Sequence, residues 1–242
     1  MELHFLGRGG AFFPQEGNTS AFFIEGKKLC LIDCGELVFK KIVETHLLEF
    51  AHIEEVYVLI THTHGDHAGS LGSLIYYCNF GFYPNLPIRI NIVAARPIWL
   101  KVLENLSSAS IDSELYVLMD ADGINGKFKA FSEVSFIPTL HQADEPAFCI
   151  EFETSRGKVF YSGDTRDLAF IARYVRQEAR IDKMFVEATT LDYDGNVHLP
   201  INGLNRVIPK SIREKVYLMH FNNYECIDMA KALGFQVVEV IR

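Results

Sequence analysis

Three histidines and an aspartate, His62, His64, Asp66 and His67, fall within six consecutive positions of the stretch LITHTHGDHAGS, directly after an apolar run. A solvated loop has no use for so many imidazoles, and a packed core avoids groups that must be hydrogen-bonded when buried. Imidazole nitrogen and carboxylate oxygen are donors that zinc takes, and a catalytic zinc site keeps one position for water. His62 and His64, two residues apart, can reach one ion from an extended loop. Asp66 and His67 come at the start of the next helix and point along a different direction, which suits two neighbouring ions better than one. The remaining donors are expected at other strand ends: His141 follows SFIPTL, Asp164 follows VFYSG and His220 follows VYLM. Each stands just after an apolar run, so each emerges at a sheet edge. His4, His46 and His52 fit no such pattern and read as surface or core histidines.

The elements that must carry these donors are short and cut by glycine and proline. ELHFL, SAFFIE and KLCLIDC read as successive strands, the last two joined by a turn at Gly26. Leu37, Val43, Leu47 and Phe50 have roughly helical spacing, which predicts a helix over residues 36–50. VYVLIT is a buried strand, residues 67–79 a helix, IRINIV a strand and residues 97–106 a helix. Residues 107–126 carry no clear pattern, and a lid is one use for them. EVSFIP, AFCIEFET and KVFYSG form a β-rich block, after which helix and strand alternate: AFIARYVRQ, KMFVEA, INGLNRVI, KVYLMH, CIDMAKAL, FQVVEV. Neither repeat, linker nor low-complexity stretch divides the chain, so residues 1–242 read as a single domain. The C-terminal half resembles the N-terminal half in outline. Two mixed sheets packed together with helices outside satisfy the pattern, an α/β fold of four layers.

Composition narrows the partners. With 49% of its 242 residues apolar, the chain can bury a large core. No segment approaches the ~20 apolar residues that span a bilayer. The start, MELHFLGRGG, lacks a basic-then-apolar leader, and the five scattered cysteines form no CxxC pair, so a cytoplasmic protein with reduced thiols is expected. A net charge of −8 argues against a chain that mainly embraces nucleic-acid backbone, since such domains usually carry a basic face.

THTHGDH, a later histidine, the aspartate of SGDT and a final histidine together resemble the metallo-β-lactamase fold superfamily of binuclear metal hydrolases. The resemblance runs along nearly the whole chain and implies an αββα sandwich holding two Zn2+ ions, with Mn2+ as the alternative. By position it implies one ion held by His62, His64 and His141, and a second by Asp66, His67 and His220, with Asp164 bridging. FLGRGGAFFPQEGNTSAFF resembles the FLGxGxAxxP opening of the tRNase Z branch, and VEATTLDYDGNVH that branch's HEAT-type motif. The second likeness implies that Glu187 orients His198, which protonates a departing oxygen, while Asp66 also orients the attacking water. Val186 departs from the family, which often has histidine there. A carboxylate that fixes the tautomer of an imidazole and keeps it ready to donate a proton is sound chemistry for phosphodiester cleavage.

The substrate is read from what is missing. The tRNase Z branch grips tRNA with a long arm inserted between the counterparts of His141 and Asp164. Here the interval is 22 residues that read as two strands and a turn. The armless form resembles the anti-Pycsar phosphodiesterases, viral and bacterial proteins that degrade cyclic nucleotide immune signals. That resemblance implies hydrolysis of 3′,5′-cyclic mononucleotides to linear monophosphates by a homodimer. The five aromatic side chains within residues 74–87 could stack a base or fill a dimer interface, and Arg166 could touch substrate phosphate. Three other readings remain open: an armless RNA 3′-end endonuclease, a lactonase or other ester hydrolase, and a metal-stabilised binding protein.

Overall fold

The computed structural model describes residues 1–82 and 87–241. Residues 83–86, part of the aromatic stretch, lie outside the described residues. The first half holds β1 (His4–Gly7), β2 (Ser20–Glu25), β3 (Lys28–Ile32), α1 (Val38–Glu44), α2 (Leu47–Phe50), β4 (Glu55–Ile60), α3 (Gly65–Ala68), α4 (Leu71–Phe80), β5 (Arg89–Ala94), α5 (Trp99–Ser108), β6 (Val117–Met119) and α6 (Ala121–Ile124). The second holds β7 (Glu133–Thr139), β8 (Ala147–Thr154), β9 (Gly157–Tyr161), α7 (Leu168–Gln177), β10 (Ile181–Glu187), α8 (Ile201–Val207), β11 (Val216–Met219), α9 (Tyr224–Ala232) and β12 (Gln236–Val237).

Two six-stranded sheets result, ordered β1-β2-β3-β4-β5-β6 and β12-β11-β10-β9-β8-β7. In each, the first two pairings along the chain are antiparallel and the next three parallel. The likeness of the halves is therefore a duplicated topology, carried by sequences with no detectable repeat.

The period of two along each strand builds the four layers. Leu29 and Leu31 of β3, with Val56, Val58 and Ile60 of β4, pack against Val38, Ile42, Leu74 and Val102 of the first helical layer. The intervening Cys30, Ile32, Tyr57 and Leu59 meet Ile150, Phe152, Tyr161 and Phe185 of the second sheet. Phe160, Met184, Val186 and Leu218 complete the stack against Ile171, Leu204 and Ile227 of the second helical layer. Full burial of each such side chain stabilises the fold by about 1.5–3 kcal/mol, so both faces of both sheets are strongly specified. No helix among the described residues is long and apolar enough to cross a membrane.

Two expected helices are broken by local hydrogen bonds. The Thr45 hydroxyl donates to the Lys41 carbonyl at 2.8 Å, and His46 takes a left-handed φ of 50°, which divides residues 36–50 into α1 and α2. Ser70 donates to the Gly35 carbonyl at 2.5 Å and accepts from the Phe39 amide at 3.1 Å. That pull toward the loop after β3 separates the single turn α3 from α4. Residues 107–126 supply the edge strand β6 and the short α6 in place of a lid. Only Gln236–Val237 of the last apolar run pairs as a strand.

Candidate metal centre

The parallel strands of both sheets end at one crevice, where ligands of α/β sheets commonly bind. Asp33 follows β3, Thr61 and His62 follow β4, His141 lies just past β7, Asp164 past β9, Glu187 ends β10 and His220 follows β11. The three predicted ligands beyond the first loop, His141, Asp164 and His220, thus meet those of THTHGDH.

His62, His64 and His141 form one group of donor atoms, and Asp66, His67, Asp164 and His220 a second. In the first, His62 Nε2 lies 3.0 Å from His64 Nδ1, which lies 3.3 Å from His141 Nε2. In the second, Asp66 Oδ2 is 3.1 Å from His220 Nε2 and 3.5 Å from His67 Nε2. Asp164 faces both: Oδ1 is 3.2 Å from His67 Nε2 and 3.3 Å from His220 Nε2, and Oδ2 is 3.9 Å from His62 Nε2 and from His141 Nε2.

The outer ring of hydrogen bonds leaves the inward nitrogens of His62, His64, His67 and His141 bare. His67 Nδ1–H donates to Asp33 Oδ2 at 2.8 Å, and His141 Nδ1–H to the Val197 carbonyl at 2.9 Å. The Thr61 hydroxyl donates to Asp33 Oδ2 at 2.8 Å, so it accepts from His62 Nδ1–H at 3.1 Å. His64 Nε2–H donates to Gln142 Oε1 at 3.1 Å. No proton is left for the space between His62, His64 and His141, and buried Asp164 Oδ1 has no hydrogen-bond partner. Converging lone pairs of nitrogen and oxygen with fixed tautomers are what a divalent cation requires, so the residues present fit a two-cation site.

Asp33 and Gln142 escaped the sequence reading. Asp33 is fully buried, holds a left-handed φ of 62° and binds the Thr61 amide at 2.8 Å besides His67. His220 is left-handed too, with φ 55°. Strain of this kind in non-glycine residues gathers at functional sites. Gly10 of FLGRGG also gains a role: a Cβ there would stand 3.0 Å from His220 Cε1, so a side chain would press on the ring that the opening loop lies against.

Glu187, fully buried, accepts the Thr165 amide and His198 Nδ1–H, the latter at 2.7 Å. Burial disfavours a charged His198, but the carboxylates of Glu187 and Asp164 outweigh it and lift the ring to about 9. Burial pushes Glu187 up from its ordinary range, with the charge of His198 opposing. His198 Nδ1 is 3.7 Å from Asp164 Oδ2, so the pair adjoins the donor groups.

A cavity of about 480 Å³ opens over the centre, lined by Asp66, Asp164, His198 and His220 below and by Phe12, Leu191 and Tyr193 at the rim. Phe12 is 97% exposed. Among the described residues lining it there is no lysine or arginine, and exposed Arg166 is not one of them. The aromatic residues 76–82 do not line it either, because α4 packs on the outer face of the first sheet. Tyr76 borders a separate groove. His4, His46 and His52 are exposed, away from the centre, as expected.

The comparisons with known proteins agree with this architecture. The anti-Pycsar protein Apyc1 of Paenibacillus sp. (strain J14) is 29% identical over 233 residues, covering 92% of this chain and 90% of that protein. Its namesake from Bacillus phage BSP38 is 27% identical over 241 residues, covering 92% and 89%. Among solved structures, the metallo-β-lactamase fold protein YhfI from Bacillus subtilis superposes with a TM-score of 0.67 at 15% identity, covering 99% of this chain and 95% of that one. The short form of human tRNase Z gives 0.62 at 19% identity, covering 93% and 94%. These two likenesses establish the metallo-β-lactamase fold. The family model described as Anti-Pycsar protein Apyc1 matches residues 1–239, across both sheets and every donor of the centre. The chain belongs to the anti-Pycsar protein Apyc1 family.

Proposed function

We propose that the protein is a two-metal phosphodiesterase that opens 3′,5′-cyclic mononucleotides to linear monophosphates, and that it thereby removes a cyclic nucleotide immune signal. The observation that carries this reading is His198, braced on Glu187 at 2.7 Å, beside two groups of donor atoms in a small cavity whose described lining holds no lysine or arginine. His62, His64 and His141 would hold one cation, and Asp66, His67 and His220 the other, with Asp164 between them. Zn2+ suits this nitrogen-rich set, and Mn2+ is the alternative. Two bound cations would lower the pKa of a shared water and neutralise phosphoryl oxygens. Asp66 orients that water. His198 gives its Nε2 proton to the departing sugar oxygen as the P–O bond breaks, and Glu187 steadies the resulting neutral imidazole. We read both halves as one domain, because the donors are drawn from each.

The cavity favours a small monoanionic ester. With no lysine or arginine among the described residues of its lining, it offers little to the successive phosphates of an RNA, which are normally met by basic side chains. The rim of Phe12, Leu191 and Tyr193 instead suits the face of a base. Stacking there takes over the role that residues 74–87 could have filled. Incubation of metal-loaded protein with cyclic AMP, GMP, CMP and UMP, beside a pre-tRNA, is expected to consume cyclic nucleotide and leave the RNA whole. Phe12→Ala is expected to raise KM roughly tenfold, within the range of one lost base stack. Cut RNA beside intact cyclic nucleotides would replace this reading with an RNA endonuclease.

The same reading includes a homodimer. Tyr76, Phe80, Leu100 and Leu103 stand exposed on α4 and α5, beside a groove of about 360 Å³ lined by Leu71, Val102, Leu106 and Ile111. Aromatic and aliphatic side chains of this kind are enriched at the buried heart of interfaces. Light scattering is expected to give twice the 27.5 kDa of one chain; a monomer at micromolar concentration would end the dimer proposal. The phage relatives and five free, buried cysteines support a cytoplasmic setting, the host's where a phage encodes the protein.

A further inference from the structure

His64 differs from the other predicted ligands of the first cation in how its ring is held. His62 is fixed by Thr61 and His141 by the Val197 carbonyl, both within the folded frame. His64 is fixed by an exposed side chain, Gln142, on the loop between β7 and β8. That loop is itself tied down. Glu145 Oε1 accepts the Thr63 hydroxyl at 2.6 Å, from the residue between His62 and His64. Lys101 of α5 reaches the Asp144 carbonyl at 3.1 Å and pairs with Glu145 Oε2. α5 belongs to the first half of the fold and the loop to the second, so this chain of contacts fastens the halves together beside His64.

We propose that Gln142, held by the Lys101–Glu145–Thr63 bracket, is a positioning residue that keeps the proton of His64 on Nε2 and so sets the affinity of the first cation site. An imidazole free to exchange tautomers presents a bare Nδ1 only part of the time, and one free to rotate presents it in many directions. Gln142 turns Oε1, an acceptor, toward the ring, which favours the Nε2–H form and one ring orientation. The second site draws on Asp33, Asp66 and the opening loop that lies against His220, none of which shares a hydrogen bond with the bracket. Loss of the bracket therefore acts on one site alone.

This inference rests on the reading that His62, His64 and His141 bind a cation. Competition against a chromogenic chelator, with Zn2+ and separately with Mn2+, would resolve the two affinities in the wild type, Gln142→Leu, Gln142→Glu and Lys101→Met. Gln142→Leu is expected to weaken one site by about 10–100-fold, the usual cost of losing such an outer partner, and to leave the other unchanged. Gln142→Glu keeps an acceptor and is expected to bind at least as tightly as the wild type. Lys101→Met is expected to weaken the same single site by less than Gln142→Leu. Nitrogen-15 NMR of the metal-free protein supplies a second readout, with His64 as the Nε2–H tautomer in the wild type and as a mixture in Gln142→Leu. Two unchanged affinities in Gln142→Leu, or an equal loss at both sites, would overturn the proposal. A wild type that takes up no cation would instead refute the metal reading beneath it.

Discussion

Asp164→Asn is expected to lower kcat/KM for a cyclic nucleotide by roughly a thousandfold or more, since the several kcal/mol that paired cations give a phosphoryl transition state depend on both being in place. Asp164 faces both donor groups, with Oδ1 toward His67 and His220 and Oδ2 toward His62 and His141. Its burial works against its charge, and the rings of His220 and His67 outweigh that, holding it well below the ordinary carboxylate range. The charge is therefore present at any pH where the protein works. Asparagine keeps the shape and removes the charge, so adjacent cations lose the anion that offsets their repulsion. Metal analysis should find fewer than two ions per chain. The folded state should survive, because asparagine keeps the volume of the aspartate side chain it replaces. Asp164→Asn that keeps two ions and activity within tenfold of the wild type would contradict the bridging role.

The proposed ligands that could be read from the sequence share one physical signature: a donor placed one to three residues past the end of an apolar strand. His62, His141, Asp164 and His220 all carry it. Asp33 carries it equally, directly after KLCLI, and was readable on the same ground. It went unread because it lies outside both donor groups and fixes His67, and through Thr61 His62, a role that only the folded contacts reveal. Gln142 has no comparable signal, since an amide beside a histidine is ordinary in a loop. Glu187 and His198 became legible only through family resemblance, because the carboxylate and the ring are eleven residues apart and meet around a loop. Aromatic density pointed to residues 74–87, yet of these Tyr76, Tyr77 and Phe80 lie on the helix α4, on the outer face of a sheet. The rim came instead from Phe12 and Tyr193, single residues on two loops at the strand ends. The duplicated topology was hidden for a related reason. Each half needs only apolar runs of the right length, and the identities of those residues are interchangeable so long as volume and pattern are kept.

His198→Ala is expected to lower kcat about 10²–10⁴-fold, the range for a lost general acid, while KM moves little and two ions stay bound. Glu187 and Asp164 lift His198 against its burial to about 9, so the ring carries the reactive proton below that value and loses it above. Two bound cations add positive charge and draw the value down from there. The rate of the wild type should therefore fall as pH rises through the ring's pKa, and His198→Ala should lack that alkaline fall. Glu187→Gln keeps a hydrogen-bond acceptor but removes the charge, so it should move the alkaline fall to lower pH without erasing it. The leaving group provides the sharpest test. A nucleotide p-nitrophenyl ester departs as a stable phenolate and needs no proton, so the defect of His198→Ala should shrink with it toward unity. A defect of the same size on both substrates would mean that His198 holds the substrate rather than protonates it, and would move the general acid elsewhere in the cavity.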